Sequence, residues 1–103
     1  MKIVNNGNEL IIHLYYEEDG KIKSTQLLQL YSILNRNVYE KCIIDFNNIY
    51  SIDSDCIGVF LLWNKLLHTR RKYFSVRNIH KDSIIGTLIM SLQLDTILTM
   101  EWK

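Results

Sequence analysis

The sequence predicts an α/β fold, in which short apolar strands alternate with amphipathic helices. An Asn-Gly turn at Asn6-Gly7-Asn8 separates two short apolar segments, as in a tight β-hairpin. The segment Cys42–Phe46, which is apolar except for Asp45, has the composition of a buried strand in a parallel sheet. Apolar residues recur at helical spacing in three segments, and a strand-like run follows each of them.

In chain order the predicted elements are ββαβαβαβ. Strands are expected over Lys2–Asn5, Glu9–Tyr16, Cys42–Phe46, Tyr73–Val76 and Thr96–Met100. Helices are expected over residues 25–35, 54–71 and 83–93, the first capped by Ser24 or Thr25 and the last by the His80–Ser83 segment. The acidic segment Glu17–Gly20 is expected to be a solvated loop. This alternation predicts a mixed, mostly parallel sheet with right-handed crossovers, and a central strand Cys42–Phe46 covered on both faces.

The composition limits the classes of function. The 103 residues are enough for one domain, expected to span residues 1–103, and the 48% hydrophobic content is that of a globular chain. A net charge of +1 argues against nucleic acid as a partner. No apolar run reaches membrane-spanning length, and the first residues show no signal-peptide pattern. Two cysteines make no disulfide framework, so we expect a reduced, cytoplasmic protein.

The stretch Asp53-Ser54-Asp55 stands between the central strand and the second helix. Open α/β sheets place their binding sites where a strand ends and a helix begins. The first turn of a helix has amide N–H groups without partners in the helix, and Asp and Ser side chains stabilise it. Residue types alone favour the plain alternative, in which these three residues only cap the helix.

The same stretch resembles the STAS domain, the fold of anti-sigma factor antagonists. In that family a strand ends in Asp, a hydrophobic linker follows, and Asp-Ser-Ser/Thr-Gly-Leu-Gly-Val opens a helix. The residues that match are Asp45, Ile49, Ile52, Asp53, Ser54, Ile57, Gly58 and Val59. Asp55 stands where the family has its phosphorylatable Ser or Thr, and Cys56 stands where it has Gly. The family often has a further helix after its last strand, which we do not expect in the residues up to Lys103.

The resemblance implies a bacterial signal-transduction module that binds a protein and catalyses no reaction. Its partner would be of the anti-sigma factor or serine kinase type. The implied partner-binding residues are Asp53, Ser54, Asp55, Cys56, Ile57, Gly58 and Leu61. We expect no phosphorylation at Asp55, the phosphosite equivalent. The alternative is a STAS subunit of a lipid-transporting ABC system, which binds the ATPase and needs no phosphorylation switch.

The helix that follows carries two kinds of apolar residue. At 3.6 residues per turn, Val59, Phe60, Trp63, Leu66 and Leu67 form one stripe, which we interpret as core. Ile57 and Leu61 fall on the other side with Lys65 and His68, where a partner-facing patch is possible.

We find no pattern for catalysis, for a metal or for a cofactor. The four glycines are scattered and the three histidines lack zinc-site spacing. Cys56 and His68 would be about 18 Å apart along the helix, too far for a nucleophile and its base. A redox-sensing Cys56 is an alternative, which the neighbouring Asp53 and Asp55 oppose because they repel a thiolate. A receiver-type phosphoacceptor role for Asp45 or Asp53 lacks the acidic pair and the lysine that it requires.

Overall fold

The computed structural model describes residues 2–15, 21–36, 38–47 and 49–103. Its strands are β1 Lys2–Asn6, β2 Glu9–His13, β3 Lys21–Ile22, β4 Lys41–Asp45, β5 Ser51–Ile52, β6 Tyr73–Arg77 and β7 Thr99–Glu101. Its α-helices are α1 Ser24–Leu28, α2 Tyr31–Arg36, α3 Asp55–Thr69 and α4 Ile84–Ser91, and a short 3₁₀ turn spans Leu94–Thr96. The predicted α/β class is confirmed.

Five of these strands form one mixed sheet in the order β1-β2-β4-β6-β7. β1 and β2 pair as an antiparallel hairpin, and Gly7 in its turn has a φ of 71°, which a glycine adopts without strain. β2, β4, β6 and β7 run parallel to one another, so that β4 is the central strand, as predicted. The predicted hairpin and the mostly parallel sheet are therefore confirmed.

The helices cover one face of this sheet. The parallel strands β2, β4, β6 and β7 are added to the sheet in chain order, each on the same side of the one before it. Because crossovers between parallel strands are right-handed, the helices that connect strands added in one direction lie on the same face. Burial agrees, because the helices share one apolar cluster with strand residues of a single face. These strand residues are Leu10, Ile12, Cys42, Ile44, Phe74 and Val76.

β4 is buried on both faces, as predicted, since residues 42–45 are all buried, but the helices cover only one of these faces. Ile43 points away from the helices, is fully buried, and lies outside their cluster. Around it the second face carries polar pairs between neighbouring strands. Lys41 Nζ lies 3.7 Å from Glu9 Oε1 and 4.9 Å from the centre of the Tyr73 ring. The apolar run in the sequence therefore reflects burial of Ile43 within the sheet face, and does not require a second helical layer.

Three elements differ from the predicted ones by more than two residues at a boundary or by a break. The first helix is split into α1 and α2, because Leu30 N–H bonds back to the Leu27 carbonyl and the chain turns there. β2 ends at His13, and the rest of its predicted range reaches the undescribed residues 16–20, which also include the predicted acidic loop. The last strand begins at Thr99, because the 3₁₀ turn occupies its predicted start.

The short strands β3 and β5 pair in parallel as a separate two-stranded ribbon, which the sequence did not predict. Lys21 lies opposite Ser51, and Ile22 lies opposite Ile52. The ribbon brings the start of α1 beside the start of α3.

Two helical glycines test the packing of the helical layer. A Cβ on Gly86 would lie 2.1 Å from the backbone oxygen of His80, whereas a Cβ on Gly58 would meet nothing within 4 Å. We expect Gly86→Ala to lower the free energy of unfolding by about 2–3 kcal/mol, because the loop must move away from α4. Gly58→Ala should raise it by about 0.5–1 kcal/mol through helix propensity.

Denaturant unfolding of both variants and the wild type measures these changes. An equal effect of the two substitutions would show that α4 does not pack directly on the loop backbone.

Candidate functional site

The candidate site lies at the edge of the sheet where the parallel strands end. β4 ends at Asp45, the chain crosses to β5, and Asp53 leads directly into α3. The helices α3 and α4 begin at this same edge, because each follows a parallel strand. This is the edge at which open α/β sheets bind their ligands and partners.

Asp53 joins the first turns of two helices. Its Oδ2 accepts a hydrogen bond of 3.1 Å from the backbone N–H of Ser24, the first residue of α1. Its Oδ1 accepts one of 3.2 Å from the backbone N–H of Cys56 in α3. The backbone N–H of Asp53 donates to the Ile22 carbonyl on the β3–β5 ribbon. One carboxylate thus satisfies amide groups at the start of both helices.

The capping interpretation is confirmed for Asp53 and extends further than the sequence indicated, since it also includes α1. Ser54, at the capping position of α3, makes no side-chain cap hydrogen bond. Neither Ser24 nor Thr25 caps α1, which is preceded by Lys23. The Gln26 side chain instead accepts from the backbone N–H of Lys23 at 2.9 Å.

These contacts lower the pKa of Asp53. Partial desolvation favours the neutral acid, but the backbone hydrogen bonds from Ser24 and Cys56 stabilise the carboxylate and outweigh it. Asp53 is therefore a fixed negative charge at neutral pH, held against the positive ends of two helix dipoles.

The predicted partner-binding residues other than Asp53, which is partly buried, divide into three groups by exposure. Ser54, Asp55 and Gly58 are exposed on the first turns of α3. Ile57 and Leu61 are partly buried and pack against the core. Cys56 is 0% exposed, so its side chain has no surface to offer a partner. The stripe interpreted as core is buried at Val59, Phe60, Trp63 and Leu67, while Leu66 is partly exposed.

One exposed residue of this helix was missed. Leu62 is 53% exposed and lies on the same outer stripe as Asp55, Gly58 and Lys65. Leu61 and Leu62 are neighbours of the same type, and periodicity alone did not identify the outward one. The outer surface of the α3 start is therefore formed by Ser54, Asp55, Gly58 and Leu62.

A polar cluster around Asp45 was also missed. Asp45 is 6% exposed, and its Oδ2 lies 2.9 Å from Nδ1 of His13 at the end of β2. Its Oδ1 accepts hydrogen bonds from Asn78 Nδ2 at 2.8 Å and from the Asn47 backbone N–H at 2.9 Å. These contacts join the end of β4 to the end of β2 and to the residue that follows β6. No sequence motif connects these residues, because His13 and Asn78 lie 32 and 33 positions from Asp45.

Two surface cavities flank the sheet. The one at the candidate-site edge has a volume of about 430 Å³, with an apolar floor that includes Phe46 and Ile79 and exposed side chains of Tyr50 and Ile84 at its rim. The other, of about 470 Å³, lies beside the end of α3 and includes Lys72, which already donates to the Tyr39 carbonyl.

Metal binding requires a cluster of ligand side chains, and membrane crossing requires a long apolar helix. Within residues 2–15, 21–36, 38–47 and 49–103, no three His, Cys, Asp or Glu side chains come together as a metal site. None of the helices that the structure describes has the length and apolar character that a membrane crossing needs.

Both thiols should be unreactive in the folded protein. Desolvation raises the pKa of Cys42 to about 12, and desolvation together with the charge of Asp53 raises the pKa of Cys56 to about 12. We expect an aromatic disulfide reagent at about pH 8 to modify neither thiol in the native state and both after unfolding in guanidinium. Fast native-state labelling of Cys56 would restore the redox-sensor alternative.

Asp53 should contribute stability that depends on pH. Asp53→Asn keeps the shape but removes the charge, and we expect it to lower the free energy of unfolding by about 0.5–2 kcal/mol at neutral pH. Because the folded-state pKa is lowered, the wild-type advantage is present above the unfolded-state pKa of about 4. It is lost as the pH falls through the folded-state pKa.

Denaturant unfolding of both proteins from about pH 7 to about pH 2 measures this difference. Asp55→Asn, at an exposed position, is the matched control, and its effect should stay within about 0.5 kcal/mol. A wild-type advantage that did not shrink in acid would contradict the capping role of the carboxylate.

Comparisons with protein-family models and with curated proteins found no match for this chain.

Proposed function

We propose that this protein is a non-catalytic, STAS-type interaction module that binds a protein partner through the start of α3. The observation that carries the proposal is the exposed pair Ser54 and Asp55, on a helix start that Asp53 fixes to α1. The order of the elements supports it, since a hairpin precedes a parallel sheet with its helices between the strands. The motif residues Asp45 and Asp53 both make specific hydrogen bonds.

The proposed contact surface is narrower than the residues that the resemblance implied. It consists of Ser54, Asp55, Gly58 and the newly identified Leu62. Ile57 and Leu61 support this surface from beneath, and Cys56 is left out because it is fully buried. An exposed leucine beside a small glycine offers a partner an apolar contact next to the charge of Asp55.

Asp55 decides what kind of partner fits. In the antagonists that this chain resembles, the corresponding hydroxyl gains a phosphate of about −1.5 to −2 charge, which abolishes binding. Asp55 carries a permanent single charge and cannot be switched in that way. We infer a partner of the anti-sigma factor or serine kinase type that presents Lys or Arg to Asp55, so that binding is constitutive.

The alternative partner is the ATPase of a lipid-transporting ABC system. The carboxylate at position 55 is compatible with this alternative, because a subunit of such a system needs no phosphorylation switch. The two partners differ in identity, so affinity capture from the source cell followed by mass spectrometry distinguishes them. A kinase-like protein indicates the first, and an ABC ATPase indicates the second.

The Leu62 surface is tested by capture with matched variants. Leu62→Lys replaces an exposed apolar contact by a charge that repels a basic partner, and we expect it to lose the captured protein. Leu92→Lys alters a leucine of nearly equal exposure, 54% against 53%, which follows α4 and lies outside the proposed surface. It should capture the partner as the wild type does. Equal capture by all three proteins would place the interface elsewhere.

The role of Asp55 is tested by calorimetry with the captured partner after purification. We expect Asp55→Ser to weaken binding by about 1–3 kcal/mol, the scale of a hydrogen bond to a charged group. Tighter binding by the Ser variant would show instead that Asp55 mimics the phosphorylated, released state.

A further inference from the structure

The helix α4 differs from the other long helix of the structure in carrying no charge. Residues 83–94 contain no Asp, Glu, Lys or Arg. Its inner side, with Ile85, Gly86 and Ile89, is buried against the core. A helix that is apolar all round is normally buried on all sides.

The outer side of α4 is nevertheless exposed. Ile84 is 74% exposed, Leu88 is partly exposed and Leu92 is 54% exposed. Their spacing of four residues places them on one stripe along the helix. Tyr50, 63% exposed, lines the same cavity as Ile84 and extends the patch beyond the start of the helix. We call these four residues the α4 patch.

We propose that the α4 patch binds a second copy of this chain, with the two α4 helices packed antiparallel about a twofold axis. The stripe of Ile84, Leu88 and Leu92 is complementary to itself, because residues 83–94 carry no charge that would meet a like charge or be left unpaired when two copies pack together. The charged residues that line the cavity between Tyr50 and Ile84 include Asp82 and Lys103, which are of opposite sign. This surface lies apart from the outer stripe of α3, so the proposal does not depend on the proposed function.

The charges at the two ends of α4 select the antiparallel arrangement. Asp95 follows the helix, whereas His80, Lys81 and Asp82 precede it. Parallel packing would bring the two Asp95 carboxylates together. Antiparallel packing moves them to opposite ends, where each meets a flank in which Lys81 and Asp82 offset one another. It also sets the two helix dipoles in opposition, which is favourable.

The size of the patch predicts weak association. At roughly 150–200 Å² for a fully exposed large side chain, the exposed fractions of Ile84, Leu92 and Tyr50 correspond to roughly 300–400 Å² per copy. Two copies bury about twice this area, below the roughly 1,200 Å² of a standard specific interface. We therefore expect a weak dimer that forms only at high protein concentration.

Sedimentation of the purified full chain over a concentration series tests the proposal. The mass should rise from that of the 12.2 kDa monomer toward twice this value. Ile84→Glu, which suits the first turn of a helix, and Leu92→Lys, which suits its end, should each raise the dissociation constant more than about tenfold. Leu62→Lys, at equal exposure on α3, should leave it unchanged.

Mixing the two α4 variants tests the orientation. In the antiparallel dimer, position 84 of one copy faces position 92 of the other, so Ile84→Glu and Leu92→Lys proteins should form a mixed dimer with one ion pair and one apolar contact. A parallel dimer would show no such rescue. A chain that stays monomeric at all concentrations, or a dimer that Leu62→Lys disrupts and the α4 variants do not, would overturn the proposal.

Discussion

The constant direction in which the parallel strands follow one another across the sheet determines where the helices of this molecule lie. Because β2, β4, β6 and β7 succeed one another in space as they do along the chain, all connecting helices lie on one face. The helices α3 and α4 both begin at the edge where the parallel strands end. The surface proposed for a partner and the patch proposed for self-association are thus on neighbouring helices of one layer, and both can be occupied without a change of fold.

The carboxylate of Asp53 stabilises the local geometry within this frame. It binds the first turns of α1 and α3 together, and its backbone is tied to the β3–β5 ribbon. Ser54 and Asp55 are presented from a support made of three elements. Asp53, which the sequence indicated only as a helix cap, therefore also determines the orientation of the exposed Ser54 and Asp55.

Local sequence patterns predicted the main elements of the fold. Helical spacing predicted the core stripe of α3, the apolar run predicted the central strand, and the Asn-Gly turn predicted the hairpin. The break between α1 and α2 was not predicted, since Leu27, Leu30 and Leu34 keep helical spacing across it and all are buried. The two-residue strands β3 and β5 are too short to show a period. The partners of Asp45 and the outward position of Leu62 follow from tertiary packing, which a single sequence does not display.

The cluster at Asp45 has a consequence for the order of folding. Its side chains come from three segments separated by more than thirty residues, and it joins them only when β2, β4 and β6 are aligned. Closing such loops costs chain entropy before any contact is gained. The hairpin and the helices can form from local contacts, so we expect the Asp45 carboxylate to acquire its full set of hydrogen-bond donors only after these elements have formed. Asp45 would therefore stabilise the aligned strands after the sheet has assembled, and would not guide its assembly.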